Sequence, residues 1–221
     1  MNKIKKTEIM KSVYGRNDEA AADFNKFLTG KKIFCVNVLG SPGAGKTTLL
    51  IDLIGRLIRR SFVIEGDVAS DIDARRLAGQ NIPAAQINTG GACHLNAAAV
   101  ADCFHNSAGG FIGGYLFIEN IGNLICPVDF FLGEHAKMLV CSVTEGGDKP
   151  YKYPLAFERA DVIVINKSDL SAHVDFDEKF FSDGARMLNQ TAPIFTVSGV
   201  TGAGVSEVAE WLTYRAAPVT G

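Results

Sequence analysis

The sequence predicts an α/β fold built on a doubly wound, mostly parallel sheet. Three observations carry that expectation. Apolar, β-type runs at 33–39, 62–65, 83–87, 114–119, 138–143, 161–166 and 193–198 alternate with helical stretches at 46–60, 71–79, 93–105, 154–158, 175–189 and 204–215. This is the pattern of strand–helix–strand units. Most of the runs are continuously apolar rather than alternating in polarity, as strands covered on both faces are. Finally, the segment Gly40-Ser41-Pro42-Gly43-Ala44-Gly45-Lys46-Thr47 sits between the first run and the helix that follows it. In such folds ligands gather beyond the carboxyl ends of the strands.

The chain divides into an N-terminal arm with a short helix, residues 1–30, and a single larger domain, residues 31–221. Four lysines fall within the first eleven residues without interleaved apolar side chains, as in a solvated, frayed arm. Asn17 to Leu28 then reads as a short amphipathic helix with Ala21, Phe24, Phe27 and Leu28 on one side, closed by Gly30. The remaining length is enough for one domain with a full core, at 47% hydrophobic and 21% charged residues over 221 positions. There is no internal repeat, low-complexity tract or linker.

The first strand, 33–39, leads into the glycine-rich segment, which fits G-x-x-x-x-G-K-[ST]. Its place between strand and helix marks a phosphate-binding loop and a P-loop NTPase fold. Gly40, Gly43 and Gly45 permit backbone turns closed to residues with a Cβ. Backbone N–H groups around Ser41, Ala44 and Thr48 can then converge on phosphate oxygens at the positive end of the next helix. Pro42 stiffens the loop. Lys46 is expected to reach the β- and γ-phosphates, and the Thr47 hydroxyl to ligate Mg²⁺.

Two later runs end in acidic residues. Asp67 closes the run that begins at Phe62, and Glu119 closes Gly114–Glu119. Carboxylates there can hold Mg²⁺ directly or through water. Glu119-Asn120-Ile121-Gly122 occupies the place of an Asp-x-x-Gly switch, so the Gly122 N–H is expected to sense a γ-phosphate. No residue stands out to orient the attacking water, and slow hydrolysis is the expectation.

The run ending at Ile165 is followed by Asn166-Lys167-Ser168-Asp169. A single carboxylate, Asp169, can accept both the N1–H and the 2-amino group of guanine, whereas adenine offers an acceptor there and no 2-amino group. A site built to bond a group strongly rejects the analogue that lacks it. Asn166 would face the acceptor side of the base, and the Lys167 stem can pack on the ring. Ser198, Gly199 and Val200, at the end of the last run, are placed to meet the guanine O6. The pattern favours GTP and GDP over ATP.

Cys93-His94 is expected to open the 93–105 helix, and Cys126 follows Gly122 by four residues. Thiolate, imidazole and thiolate suit Zn²⁺ or Ni²⁺. Three ligands leave an open site that a two-fold partner can close. The short reach from Gly122 to Cys126, at most about 14 Å of extended chain, would couple metal affinity to nucleotide state. The alternative is that these are structural thiols, since free cysteine is commonly a small buried hydrophobe. Cys35 and Cys141 lie inside strand runs and read as core thiols. Cys103, His105, His135 and His173 read as structural or solvated.

Together these residues resemble the HypB family, GTPases that deliver nickel during [NiFe]-hydrogenase maturation. The resemblance runs from about Asn37 to Gly204. It includes Gly40–Thr47, Glu65-Gly66-Asp67, Asn88-Thr89-Gly90 with Cys93-His94, Glu119–Pro127, Ser142–Pro150 and Asn166–Asp169. The Glu119–Pro127 and Thr144–Pro150 stretches belong to this family rather than to GTPases at large. The resemblance implies a metal site at Cys93, His94 and Cys126, a GTP-promoted homodimer, and transfer of nickel through delivery proteins toward the hydrogenase. One departure is visible. Many family members carry an N-terminal Cys-rich nickel motif, but here no Cys precedes Cys35 and no His precedes His94. Nickel handling is therefore expected to rest on the G-domain site.

Other readings remain open. A urease-type nickel GTPase shares the architecture but usually carries Cys-Pro-His, whereas here Cys93-His94 stands apart from Cys126-Pro127. A regulatory GTP switch without metal, and an ATP-dependent small-molecule kinase, also fit the fold. The formal net charge of −2 argues against a nucleic-acid surface. No segment reaches the roughly 18 apolar residues of a membrane span. An odd set of five cysteines without framework spacing suits a reducing, cytoplasmic compartment.

Overall fold

A computed structural model describes residues 3–67 and 71–221. Seven strands, β1 (Ile33–Gly40), β2 (Ser61–Asp67), β3 (Ala84–Asn88), β4 (Gly114–Glu119), β5 (Ala136–Ser142), β6 (Val162–Asn166) and β7 (Ile194–Thr196), form one sheet in the order β3-β2-β4-β1-β5-β6-β7. Every pairing is parallel. The helices are α1 (Lys3–Gly30), α2 (Lys46–Arg56), α3 (Ile72–Gly79), α4 (Ala97–Ala108), α5 (Lys149–Lys152), α6 (Pro154–Glu158), α7 (Glu178–Leu188) and α8 (Val205–Thr220). The expected α/β, doubly wound architecture is the one observed.

Strand geometry explains the continuous apolar runs. Successive side chains point to opposite faces, and both faces are covered. Phe34, Val36 and Val38 of β1 pack with Leu49, Leu50 and Leu53 of α2, Leu77 of α3 and Val205, Val208 and Leu212 of α8. On the other face Ile33 and Cys35 meet Phe24 and Leu28 of α1 and Val100 and Phe104 of α4. Farther along that face, Leu39, Ile163 and Ile165 pack with Phe157 of α6 and Phe181 of α7. β1 lies between β4 and β5, so the loop at its carboxyl end is flanked by the ends of both neighbours.

Several element ends differ from the sequence reading. The first helix begins at Lys3 rather than Asn17. Lys, Glu and Met are good helix formers, and no proline interrupts the stretch. The expected frayed arm is therefore helical from Lys3 onward, while Met1 and Asn2 lie outside the described residues. Cys93-His94 does not open a helix. α4 starts at Ala97, because Asn96 is its cap and accepts a hydrogen bond from the Ala99 N–H at 2.9 Å. α7 starts at Glu178 because the Asp177 carboxylate caps the Phe180 N–H. The stretch before it is irregular.

Cys35 and Cys141 are buried core thiols. His135 is structural, with Nδ1 accepting from the Cys35 N–H at 2.9 Å and the ring stacked on Phe34. His105 sits edge-on against Phe27. Among the described residues no helix is long and apolar enough to cross a membrane.

Candidate nucleotide and metal site

The phosphate loop turns as its glycines predict, with φ at 76° for Gly43 and 87° for Gly45. These left-handed values favour glycine. Gly45 has a second constraint: a Cβ there would lie 2.6 Å from Asn166 Nδ2. Gly45 caps the N-terminus of α2 without a side-chain bond, which leaves the first N–H groups of that helix for an anion. Lys46 is buried and folds back over the loop. Its ammonium lies 3.5 Å from both the Gly40 and Ser41 carbonyls, contacts long enough to be exchanged for a phosphate.

The residues expected to read a base converge behind the loop. Asn166 Nδ2 donates to the carbonyls of Ala44 (3.0 Å) and Gly45 (3.3 Å), and its Oδ1 accepts from the Gly199 N–H at 3.0 Å. Asn166 therefore pins β6, the phosphate loop and the 198–200 turn together. Lys167 adopts a left-handed φ of 61° and reaches forward to donate to Gly43 O at 2.6 Å. The Ser198 hydroxyl donates to Asp169 Oδ1 at 2.5 Å. Asn166, Lys167, Asp169, Gly199 and Val200, with Gly45, Thr48 and Leu170, line a pocket of 190 Å³. That is below the roughly 300–1,000 Å³ of drug-sized sites.

On the other side of α2, Thr47 Oγ1 donates to Glu119 Oε1 at 2.9 Å. Glu119 is buried, and its Oε2 has no partner. Burial pushes its carboxyl up to about 7, against the opposing pull of Lys46 and the Thr47 bond. Asp67 ends β2 close by. Glu65, on the same strand face, is also buried with Oε2 unpartnered. Burial, then the charges of Glu119, Asp67 and Asp73, push it up to about 8, while Lys46 opposes. Gly122 lies against the loop, where a Cβ would meet Pro42 Cα, Cγ and N at 2.9 Å.

Cys93 and His94 lie in the loop before α4, and Cys126 opens a short 3-10 turn, Cys126–Asp129; Asn123 ties the two segments by donating to the Cys93 carbonyl at 3.3 Å. The Cys93 thiol is exposed, and the proximity of Cys126 raises its pKa. Cys93 Sγ also lies 3.5 Å from His94 Nδ1. The His94 ring stacks on Phe130 with centroids 3.8 Å apart, and burial lowers its pKa. Among the described residues, no three His, Cys, Asp or Glu side chains close into a ready-made metal shell.

Comparison with known proteins bears on this arrangement. The family model described as CobW/HypB/UreG, nucleotide-binding domain, matches residues 34–196. Hydrogenase maturation factor HypB of Azotobacter chroococcum mcd 1 is 43% identical over 215 residues, covering 96% of this chain and 70% of the relative. The chain belongs to the HypB family. The Escherichia coli K12 HypB is 39% identical, with 96% of this chain and 73% of that protein covered. The crystal structure of Helicobacter pylori HypB in complex with nickel superposes with a TM-score of 0.88 at 33% identity, covering 93% and 97% of the two chains. Archaeoglobus fulgidus HypB gives 0.82 at 35% identity, covering 91% of this chain and 99% of that one. The signal recognition particle receptor FtsY of Elizabethkingia anophelis, at 11% identity and a TM-score of 0.55, shares the fold alone.

Two residues of this HypB-family site had no role legible in the sequence. Lys149 bridges Glu145 (2.9 Å) and the hydroxyl of Ser41 in the phosphate loop (3.0 Å). Glu145 is itself held by a reciprocal cap with Ser142. The Lys149 contact is long-range, so only its presence in Thr144–Pro150 hinted at it. Glu65 stood in Glu65-Gly66-Asp67, but nothing in the sequence gave its burial beside Glu119.

Proposed function

We propose that this chain is a GTP-hydrolysing protein that inserts nickel during [NiFe]-hydrogenase maturation, with metal binding and release coupled to a GTP-dependent homodimer in the cytoplasm. The observation that carries the reading is that Asn123 ties the Cys93 segment at 3.3 Å to the stretch between Cys126 and the Gly122 that packs on the phosphate loop.

In this reading the phosphates lie along Gly40–Thr48. Asp169, oriented by Ser198, accepts from the guanine N1–H and 2-amino group. Lys46 leaves the Gly40 and Ser41 carbonyls for the phosphate oxygens. The Thr47 hydroxyl, Asp67 and the unpartnered oxygen of Glu119 form a hard oxygen set that fits Mg²⁺. Once bound, that ion offsets charge on the phosphates. Nickel is the cargo. Two thiols and an imidazole suit Ni²⁺ or Zn²⁺, and a second copy of the chain completes an open shell. The domain division into an arm, residues 1–30, and a G domain, residues 31–221, is kept as part of this proposal. Delivery proteins and the hydrogenase are the partners. Neither a membrane nor a nucleic acid is among them.

The test is a nickel titration of nucleotide-free, GDP-bound and GTP-analogue-bound protein with oligomeric state followed in parallel. Affinity that changes with nucleotide and is lost in Cys126→Ala is expected. Absence of nickel binding in all three states would overturn the reading and leave a GTP switch with structural cysteines.

A further inference from the structure

Asn123 occupies a junction that the metal-site reading does not use. Its backbone pairs with Gly40 in an isolated antiparallel bridge, so it touches the first residue of the phosphate loop. Its side-chain Nδ2 donates to the Cys93 carbonyl at 3.3 Å. Its Oδ1 accepts from the Ile125 N–H at 2.9 Å, one residue before Cys126. One residue thus contacts three things: the nucleotide loop and the backbones of both cysteine-bearing segments.

We infer that Asn123 is the positioning residue that transmits the state of the phosphate loop to Cys93 and Cys126 together. This rests on the proposed nucleotide-gated metal function and deepens it. Chain continuity links only Cys126 to Gly122. Cys93 stands thirty positions from Asn123 in sequence and is joined to this segment through the Asn123 side chain.

The chemistry calls for an amide. A carboxamide supplies a donor and an acceptor from one short side chain. Aspartate, of the same shape, keeps the acceptor for Ile125 but loses the donor to Cys93. Alanine loses both. The Gly40 bridge is a main-chain contact and is available to all three. The preceding residues are anchored independently: Asn120 Nδ2 donates to buried Asn37 Oδ1 at 3.1 Å, and Gly122 rests on Pro42. Side-chain replacement at Asn123 therefore releases the cysteine segments without removing what holds the loop.

The experiment uses the full chain as wild type, Asn123→Asp and Asn123→Ala. Nickel affinity is measured with GDP and with a non-hydrolysable GTP analogue, alongside affinity for each nucleotide. A second readout needs no metal: the rate of Cys93 alkylation, mapped by mass spectrometry, in the two nucleotide states. Allosteric couplings are typically about 5–150-fold. The wild-type ratio between states is expected in that range, and Asn123→Asp should bring it below about twofold with nucleotide affinities within about threefold of wild type. The Cys93 alkylation rate should cease to follow the nucleotide in both variants. A wild-type ratio retained in Asn123→Asp would overturn this inference and leave the proposed function standing. No nucleotide dependence in the wild type itself would overturn both. If Asn123→Ala folds poorly, the isosteric aspartate variant decides.

Discussion

Glu65 and Glu119 are direct partners across the β2–β4 ladder, both buried, each with one carboxylate oxygen that meets no hydrogen-bond donor. Two neighbouring carboxylates cannot both ionise cheaply in a desolvated place. Lys46 is the one cation that opposes both, and in the phosphate-loop role it is drawn toward a nucleotide. Burial of both carboxyls, and the charge of Glu119 acting on Glu65, make the pair favour protons.

The sign of the resulting pH dependence follows. Both carboxyls titrate higher when folded, at about 8 for Glu65 and about 7 for Glu119, than the ordinary value of 4.5. The folded state binds more protons, so stability falls as pH rises from the unfolded value through the folded ones. Denaturant unfolding of the nucleotide-free protein between pH 5 and pH 8.5 should show this loss, on the order of 1–2 kcal/mol after allowance for solvent screening. Glu65→Gln should flatten most of it. Identical pH profiles for wild type and Glu65→Gln would refute the coupling.

Asp169→Asn tests the base pocket. The Ser198 hydroxyl fixes the Asp169 carboxylate, so the swap changes hydrogen-bond sense with little change of shape. An amide presents a donor where guanine presents donors. Xanthine, with a carbonyl at that carbon, restores the match. GTP affinity should drop by about 100-fold or more and xanthosine triphosphate should gain. Displacement of a fluorescent nucleotide measures both. Unaltered GTP preference would remove Asp169 from the guanine-reading role.

Lys46→Met separates binding from folding. Among the described residues the ammonium's hydrogen bonds are two 3.5 Å contacts with carbonyls in a buried setting, so below the pH at which Glu65 and Glu119 ionise, an apolar chain of similar length should leave thermal stability near wild type. Binding of GTP and GDP should be lost nearly completely, because that charge has no substitute on the loop. Calorimetric titration and a melting curve on one preparation check the two halves of the prediction.

The sheet, the glycine-rich loop and the turn that follows β6 were legible because each is local. Gly40–Thr47 is contiguous, the strands are continuous apolar runs, and Asn166–Asp169 sits directly at the end of β6. Helix starts were less legible. Asn96, rather than Cys93, caps α4, because a polar side chain three residues farther on satisfies the helix N–H groups. The N-terminal helix was underestimated because lysines describe an exposed surface and say little about backbone conformation. Contacts made by tertiary approach were invisible: Lys149 on Ser41, Phe130 beneath His94, Glu65 beside Glu119. Each joins residues whose separation in the chain carries no pattern.

Gly122 has no room for a side chain. At Gly122 an added methyl would meet Pro42 Cα, N and Cγ, all at 2.9 Å. Two of those atoms are backbone, and the third belongs to a rigid ring, so the neighbour has little freedom to yield. Gly122→Ala must push the 120–126 segment away from the phosphate loop. A strained substitution of this kind costs about 1–3 kcal/mol, and the strain falls on the contact through which Gly122 would meet a γ-phosphate. Affinity for a GTP analogue should therefore fall by about 10-fold, with GDP affinity much less affected, since 1.4 kcal/mol corresponds to one decade. Gly55→Ala supplies the control. Gly55 is exposed on α2, and a Cβ there meets nothing within 4 Å. That change should stabilise the helix by about 0.5–1 kcal/mol and leave both nucleotide affinities alone. Equal losses of GTP-analogue and GDP binding in Gly122→Ala would show a general distortion of the loop instead of a γ-phosphate sensor.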